Sequence, residues 1–281
     1  MPAAGMARTT ELTGGVLCVV VGLLLAVATV IGPLVAGRVR FHMSADALVQ
    51  YVGGELVTSS LAVLFLACTP FWWAGRDWAP ALTAGASAYV IYTFFTVVMG
   101  QEYGKYPGNA ETAFLLYTAI TASALLLLVF SVRALSALPP MPSAPRQATL
   151  AVVIALGVLF ALLWMAQLAG FYRTGPTEEY TTATALFWVI KYLDLGIVIP
   201  LLIITGLAQR NPSAVSDVAA ITALGFMTWL LTAILVMAAA MIRHQSVGAS
   251  WVLVVAFAAL LVPTALVWIR WMMELVHHVH G

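Results

Sequence analysis

Apolar residues fill this chain in long stretches, separated by short polar clusters. Eight such stretches stand out, at about 14–36, 55–75, 80–99, 112–135, 148–171, 182–207, 217–242 and 249–272. About eighteen or more consecutive apolar residues are enough for a transmembrane helix. The runs are continuous, whereas barrel strands alternate lipid-facing and polar positions over about ten residues. The pattern therefore predicts an all-α fold, a polytopic transmembrane helical bundle of eight spans.

The connections add organisation. The segment 137–147 is Pro-rich, with Pro139, Pro140, Pro142 and Pro145. It divides a first four-helix half, 1–136, from a second, 148–281, which ends in a short tail. In each half the second helix opens with an acid, runs apolar and ends at an arginine-bearing short turn, Glu55 to Arg76 and Asp194 to Arg210. That recurrence suggests a diverged parallel 4+4 repeat, related by an axis along the membrane normal. Lys and Arg near helix ends set orientation. Arg8, Arg76, Arg133, Arg146, Arg210 and Arg270 would lie on one side, and Arg38, Arg40, Lys105, Arg173 and Arg243 on the other. The bias of six to five predicts both termini in the cytoplasm and a bacterial inner (plasma) membrane location.

Composition narrows the function classes. The chain is 63% hydrophobic and only 8% charged, against about a quarter charged in soluble domains. A net charge of +1 makes no case for nucleic acid. Cys18 and Cys68 fall inside apolar runs and read as small core hydrophobes. The first run is read as a retained helix rather than a signal peptide, because no small-residue cleavage site follows it. There is no H-E-x-x-H, G-x-S-x-G or phosphate loop. No catalytic residue, metal site or cofactor is expected, and an enzyme is the less favoured class. The tail histidines His277, His278 and His280 read as a solvated end.

The remaining polar positions are not spread evenly. Phe187 to Pro200 carries Lys191 and Asp194 inside an apolar run. An ionisable residue at that depth is a functional-site hypothesis by default. Three residues apart on a helix, the two can pair. Trp188 is read on the same face. Pro200 removes the hydrogen bond to the Gly196 carbonyl and is expected to bend the helix beside Asp194. Tyr89, Tyr92, Thr93 and Thr96 follow one helical face. Glu55, Thr58, Ser59 and Ser60 open the second helix, Tyr117, Thr118 and Thr121 lie early in the fourth, and Gln167 lies late in the fifth. An antiparallel zigzag puts all of these in one leaflet, read as the outer one, and leaves the other almost bare. The prediction is a polar vestibule with Glu55, Tyr92, Tyr117, Gln167, Trp188, Lys191 and Asp194 as its binding residues. Glu102 and Lys105 are placed at its rim, in a turn-rich loop, 100–109, that caps it or merely connects. Tyr51, Tyr103, Tyr106, Trp72, Trp73 and Trp78 read as interfacial belt residues.

Two patches also carry a resemblance. One runs from Gly54-Glu55-Leu56-Val57 to Tyr89-Val90-Ile91-Tyr92-Thr93, and the other is Leu193-Asp194-Leu195-Gly196-Ile197-Val198-Ile199-Pro200. In these the chain resembles a group of uncharacterised multi-pass bacterial inner-membrane proteins. Such relatives usually show Gln-Asp where this chain has Gly54-Glu55, so the acid is kept and an amide lost. The group has no assigned activity, and the resemblance implies architecture without chemistry. Two functions follow from the residues themselves. One is binding or transport of a small polar or ionic solute. The other is an accessory or scaffold subunit beside a membrane-protein partner, with Lys191–Asp194 as a structural pair. Membrane lipids are the expected surroundings in both.

Overall fold

The computed structural model describes residues 2–246 and 249–278. In chain order the helices are α1 (Pro2–Ile31), α2 (Ala45–Trp73), α3 (Trp78–Met99), α4 (Phe114–Ser136) and α5 (Arg146–Thr174). They continue with the short α6 (Glu178–Thr182), α7 (Thr184–Leu193), α8 (Ile199–Ala208), α9 (Ala214–Arg243) and α10 (Trp251–His278). A π-helical turn, Asp194–Val198, joins α7 to α8 into one span. Eight helices are thus long and apolar enough to cross a membrane, and the chain is an integral, multi-pass membrane protein.

Several helix boundaries differ from the hydropathy reading, and two of them have a clear local reason. The first span stops at Ile31 rather than 36, because Gly32-Pro33 follows. The second begins at Ala45, ten residues before 55. There Ser44 caps the helix by accepting from the Ala47 N–H at 3.2 Å, and Asp46 sits in the first turn beside the positive helix end. Glu55 is therefore about 15 Å into the helix, not at its entrance. The longest predicted connection, 37–54, is helical over more than half its length.

Four antiparallel packings build the bundle: α1 on α2, α3 on α4, α9 on α10, and α5 on α8. The central element is α9, which lies against α2 and α3 of the first half. Its crossing with α3 is backbone to backbone. A Cβ on Gly85 would lie 2.6 Å from the Cα of Gly225. In lipid, where water no longer drives helices together, such close approach supplies the dispersion contact. Cys18 and Cys68 are free and buried in the core.

The connections on one face, 32–44, 100–109 and 175–183, are long, and those on the other are the tight turn at 74–77, the Pro-rich 137–145 and 209–213. The half next to the short turns was expected to be nearly bare of polar groups, and it is not. Partly buried Arg146 bridges both oxygens of the buried Asp217, which also accepts from the Met141 N–H at 2.9 Å. This pins the Pro-rich linker to α9. Trp271 donates to Thr149 at 2.8 Å, joining α10 to α5. Trp72, expected at the interface, is fully buried and donates to Thr83 at 3.2 Å; Thr83 in turn meets Ser131 at 2.9 Å. Hydropathy misses these groups because each lies at a helix end or is a single hydroxyl in an apolar run.

Candidate functional site

The other half contains a cavity of about 520 Å³. Its wall is drawn from both halves of the chain: α1, α2, α3, α4, α5, the α6–α7 segment, α9 and α10. Of the seven predicted binding residues, Glu55, Tyr92, Tyr117, Gln167, Lys191 and Asp194 line it. So does the whole Tyr89, Tyr92, Thr93, Thr96 face.

Asp194 is 2% exposed, so its carboxylate must be paired within the protein. Tyr92 donates its hydroxyl to one oxygen at 2.9 Å, and Trp164 donates its indole N–H to the other at 2.8 Å. The predicted i,i+3 contact with Lys191 is not among the ion pairs of the described residues. The Lys191 ammonium instead lies over aromatic faces, 3.4 Å from the Phe187 ring centre and 4.6 Å from that of Trp164. Trp164 thus touches both charges, and sequence reasoning missed it. Its one available signal was position: it lies three residues before Gln167 on the same helix.

The expected bend takes a specific form. Pro200 offers no N–H, and the π turn starts at Asp194 itself, whose carbonyl accepts from the Ile199 N–H. Such one-turn bulges favour functional positions in helices.

Trp188 does not line the cavity. Each three-residue step on an α-helix drifts about 60°. Trp188 therefore points well away from Asp194, is 37% exposed, and packs its ring on Phe171 and Phe187 at 5.6 and 5.3 Å. Tyr51, assigned by sequence to the interfacial belt, lines the cavity instead, 4.3 Å from the Phe41 ring. Ser59 and Ser60 bond carbonyls of their own helix.

Glu55 is 8% exposed, in the α2 face that meets the end of α1. A Cβ on Gly32 would sit 2.6 Å from its Oε1, so only glycine leaves room there. Its Oε2 is buried without a hydrogen-bond partner, and so is Gln167 Oε1. Both residues line the cavity.

Neither Glu102 nor Lys105 lines the cavity; both act on its cover. Glu102 accepts from the Ala185 N–H at 2.6 Å in the first turn of α7, and Lys105 donates to the Thr181 carbonyl. Asn109 exchanges hydrogen bonds with the backbone of Arg38 and Arg40. At the centre of this cover is His42. Its Nδ1 donates to the Tyr106 carbonyl at 2.7 Å and its Nε2 meets Glu111 Oε2 at 2.8 Å. The Glu111 hydrogen bond and the Tyr106 carbonyl favour the doubly protonated ring. They hold its pKa above the ordinary 6.5, although burial works the other way. His277, His278 and His280 lie outside the residues whose side chains are described.

Exposed Leu163 on α5 and Leu253 on α10 also line the cavity, so it reaches the surface between those helices. Trp271 and Thr149 join α5 and α10 at their other ends. What the arrangement can do chemically is hold a molecule of modest size, with ion-pair and hydrogen-bond partners at two places and aromatic walls between. No family model, curated protein or solved structure matches this chain.

Proposed function

We propose that this chain binds, and carries across or into the membrane, a small polar or ionic solute held in the 520 Å³ cavity. The supporting observation is that Glu55, Lys191 and Asp194, all buried, line one cavity. An apolar bundle needs none of them, since a charge at bilayer depth costs about 2.5–3.5 kcal/mol or more. By the Lys and Arg count the cavity lies toward the outer face, with both termini inside. Lys191 and Asp194 would bind and orient the solute, while Tyr92 and Trp164 hold the Asp194 carboxylate in place.

The test is binding and flux in proteoliposomes carrying the wild type, Asp194→Asn or Lys191→Met. A loss of about tenfold or more in either variant is expected, as for one charge-assisted contact. Unchanged binding and flux in both would remove the proposal. A stoichiometric membrane-protein partner in mild detergent, with both variants assembling normally, would point to the accessory-subunit role.

A further inference from the structure

The cavity's chemistry is lopsided. Among the described residues, four acids line it, Asp46, Glu55, Glu178 and Asp194, against the base Lys191. Two of these groups already have partners. Asp194 accepts from Tyr92 and Trp164, and Lys191 lies on two rings. What the protein leaves open is all of one kind. The unsatisfied buried side-chain atoms in the wall, Glu55 Oε2 and Gln167 Oε1, are both acceptors. A buried acceptor without a partner is costly, and more so when charged. The group that relieves it is a hydrogen-bond donor, and beside a carboxylate the best donor is a cation.

The surroundings of Glu55 fit such a group. Tyr51, one helical turn before Glu55 on α2, and Tyr117 line the same cavity. Phe41 packs on both rings, at 4.3 and 6.4 Å. Aromatic faces around a carboxylate are how proteins hold an ammonium group away from bulk water. The cavity also falls in the size range of about 300–1,000 Å³ that takes organic molecules.

We propose that the solute is an organic cation, a primary ammonium on an apolar body, which places its N–H donors on Glu55 Oε2 between Tyr51 and Tyr117. This rests on the binding function above and specifies its ligand class. Its apolar body lies toward Phe257 and Leu253, where the cavity meets the surface between α5 and α10.

Three probes with one ring and three head groups test it: cyclohexylmethylammonium, cyclohexylmethanol and cyclohexanecarboxylate. Each is titrated into the purified full chain in mild detergent, followed by calorimetry. The ammonium is expected to bind, and the alcohol and carboxylate at least about tenfold more weakly. Glu55→Gln is expected to remove that preference. Glu55 also touches the Gly32 turn, so its variant could fail to fold. Tyr117→Leu keeps the carboxylate and is expected to weaken ammonium binding by about threefold to thirtyfold. If all three head groups bind the wild type alike, or Glu55→Gln binds the ammonium unchanged, the cation class falls and the binding cavity stands. If none of the three binds the wild type, the cation proposal falls, and the effects of Asp194→Asn and Lys191→Met on flux decide the broader function separately.

Discussion

Two buried acids at opposite ends of the bundle, Asp217 and Glu55, have the same chemistry and opposite surroundings. Asp217 is 2% exposed and accepts from both terminal nitrogens of Arg146 and from the Met141 N–H. Around it the linker, α5 and α9 meet through these hydrogen bonds. Glu55 is 8% exposed and lines a cavity, yet one of its oxygens accepts nothing. Burial alone therefore does not distinguish a structural acid from a site acid. Saturation does, since a carboxylate whose acceptors are all used has nothing to offer a ligand, whereas an orphan oxygen in a cavity has. Asp194 stands between the two cases, holding two donors while still lining the cavity.

The largest expected effect tests the saturated end. Arg146→Ala removes the guanidinium and leaves Asp217 buried and short of donors. It should destabilise the fold by about 3–5 kcal/mol, as breaking a buried pair does. The melting temperature of the detergent-solubilised protein measures this. The double variant Arg146→Met/Asp217→Leu should recover much of the loss, because it leaves no unpaired charge. If Arg146→Ala costs no more than a surface substitution, the contrast between the two acids collapses.

Gly85→Val tests the packing beneath the cavity. The new side chain would drive into the Gly225 backbone, where even a Cβ falls at 2.6 Å. Parting α3 from α9 should cost about 1–3 kcal/mol. Gly104 meets nothing within 4 Å of a built Cβ, so Gly104→Val serves as the control and should change little.

The smallest effect concerns the cover. The pKa of His42 is raised in the folded state, mainly by Glu111. Its contribution is therefore complete below the unfolded value of about 6.5 and is lost as pH rises through the higher folded value. Amide protection in 38–44 and 100–110, corrected for intrinsic exchange, should fall as pH rises above about 6.5. His42→Gln should flatten that dependence. Glu111 is largely exposed, so solvent and salt screen the pair and the shift should shrink in high salt.

The candidate site was legible wherever one side chain sufficed as a signal. Lys191 and Asp194 stood out as charges in an apolar run, and Tyr89, Tyr92, Thr93 and Thr96 as a stripe at helical spacing. All six line the cavity. Trp188 was misplaced because i,i+3,i+6 drifts around a helix. Tyr51 was misplaced because a span boundary fell ten residues late, which turned a wall residue into a belt residue. Trp164 could not be found at all. An indole within an apolar run looks the same whether it faces lipid or a carboxylate thirty residues away.

By itself the sequence determined that this is an eight-span helical membrane protein, because the bilayer demands long apolar runs with every backbone group bonded internally. It also grouped Glu55, Lys191 and Asp194 in one half of the bundle, because an antiparallel zigzag sorts positions by depth. Only the tertiary structure decided which groups meet. Lys191 lies on rings beside Asp194, Asp217 is saturated by Arg146, and Glu55 keeps an oxygen for something else. Those outcomes depend on helix rotation and on partners from distant helices, and hydrophobic periodicity carries no information about which faces will touch.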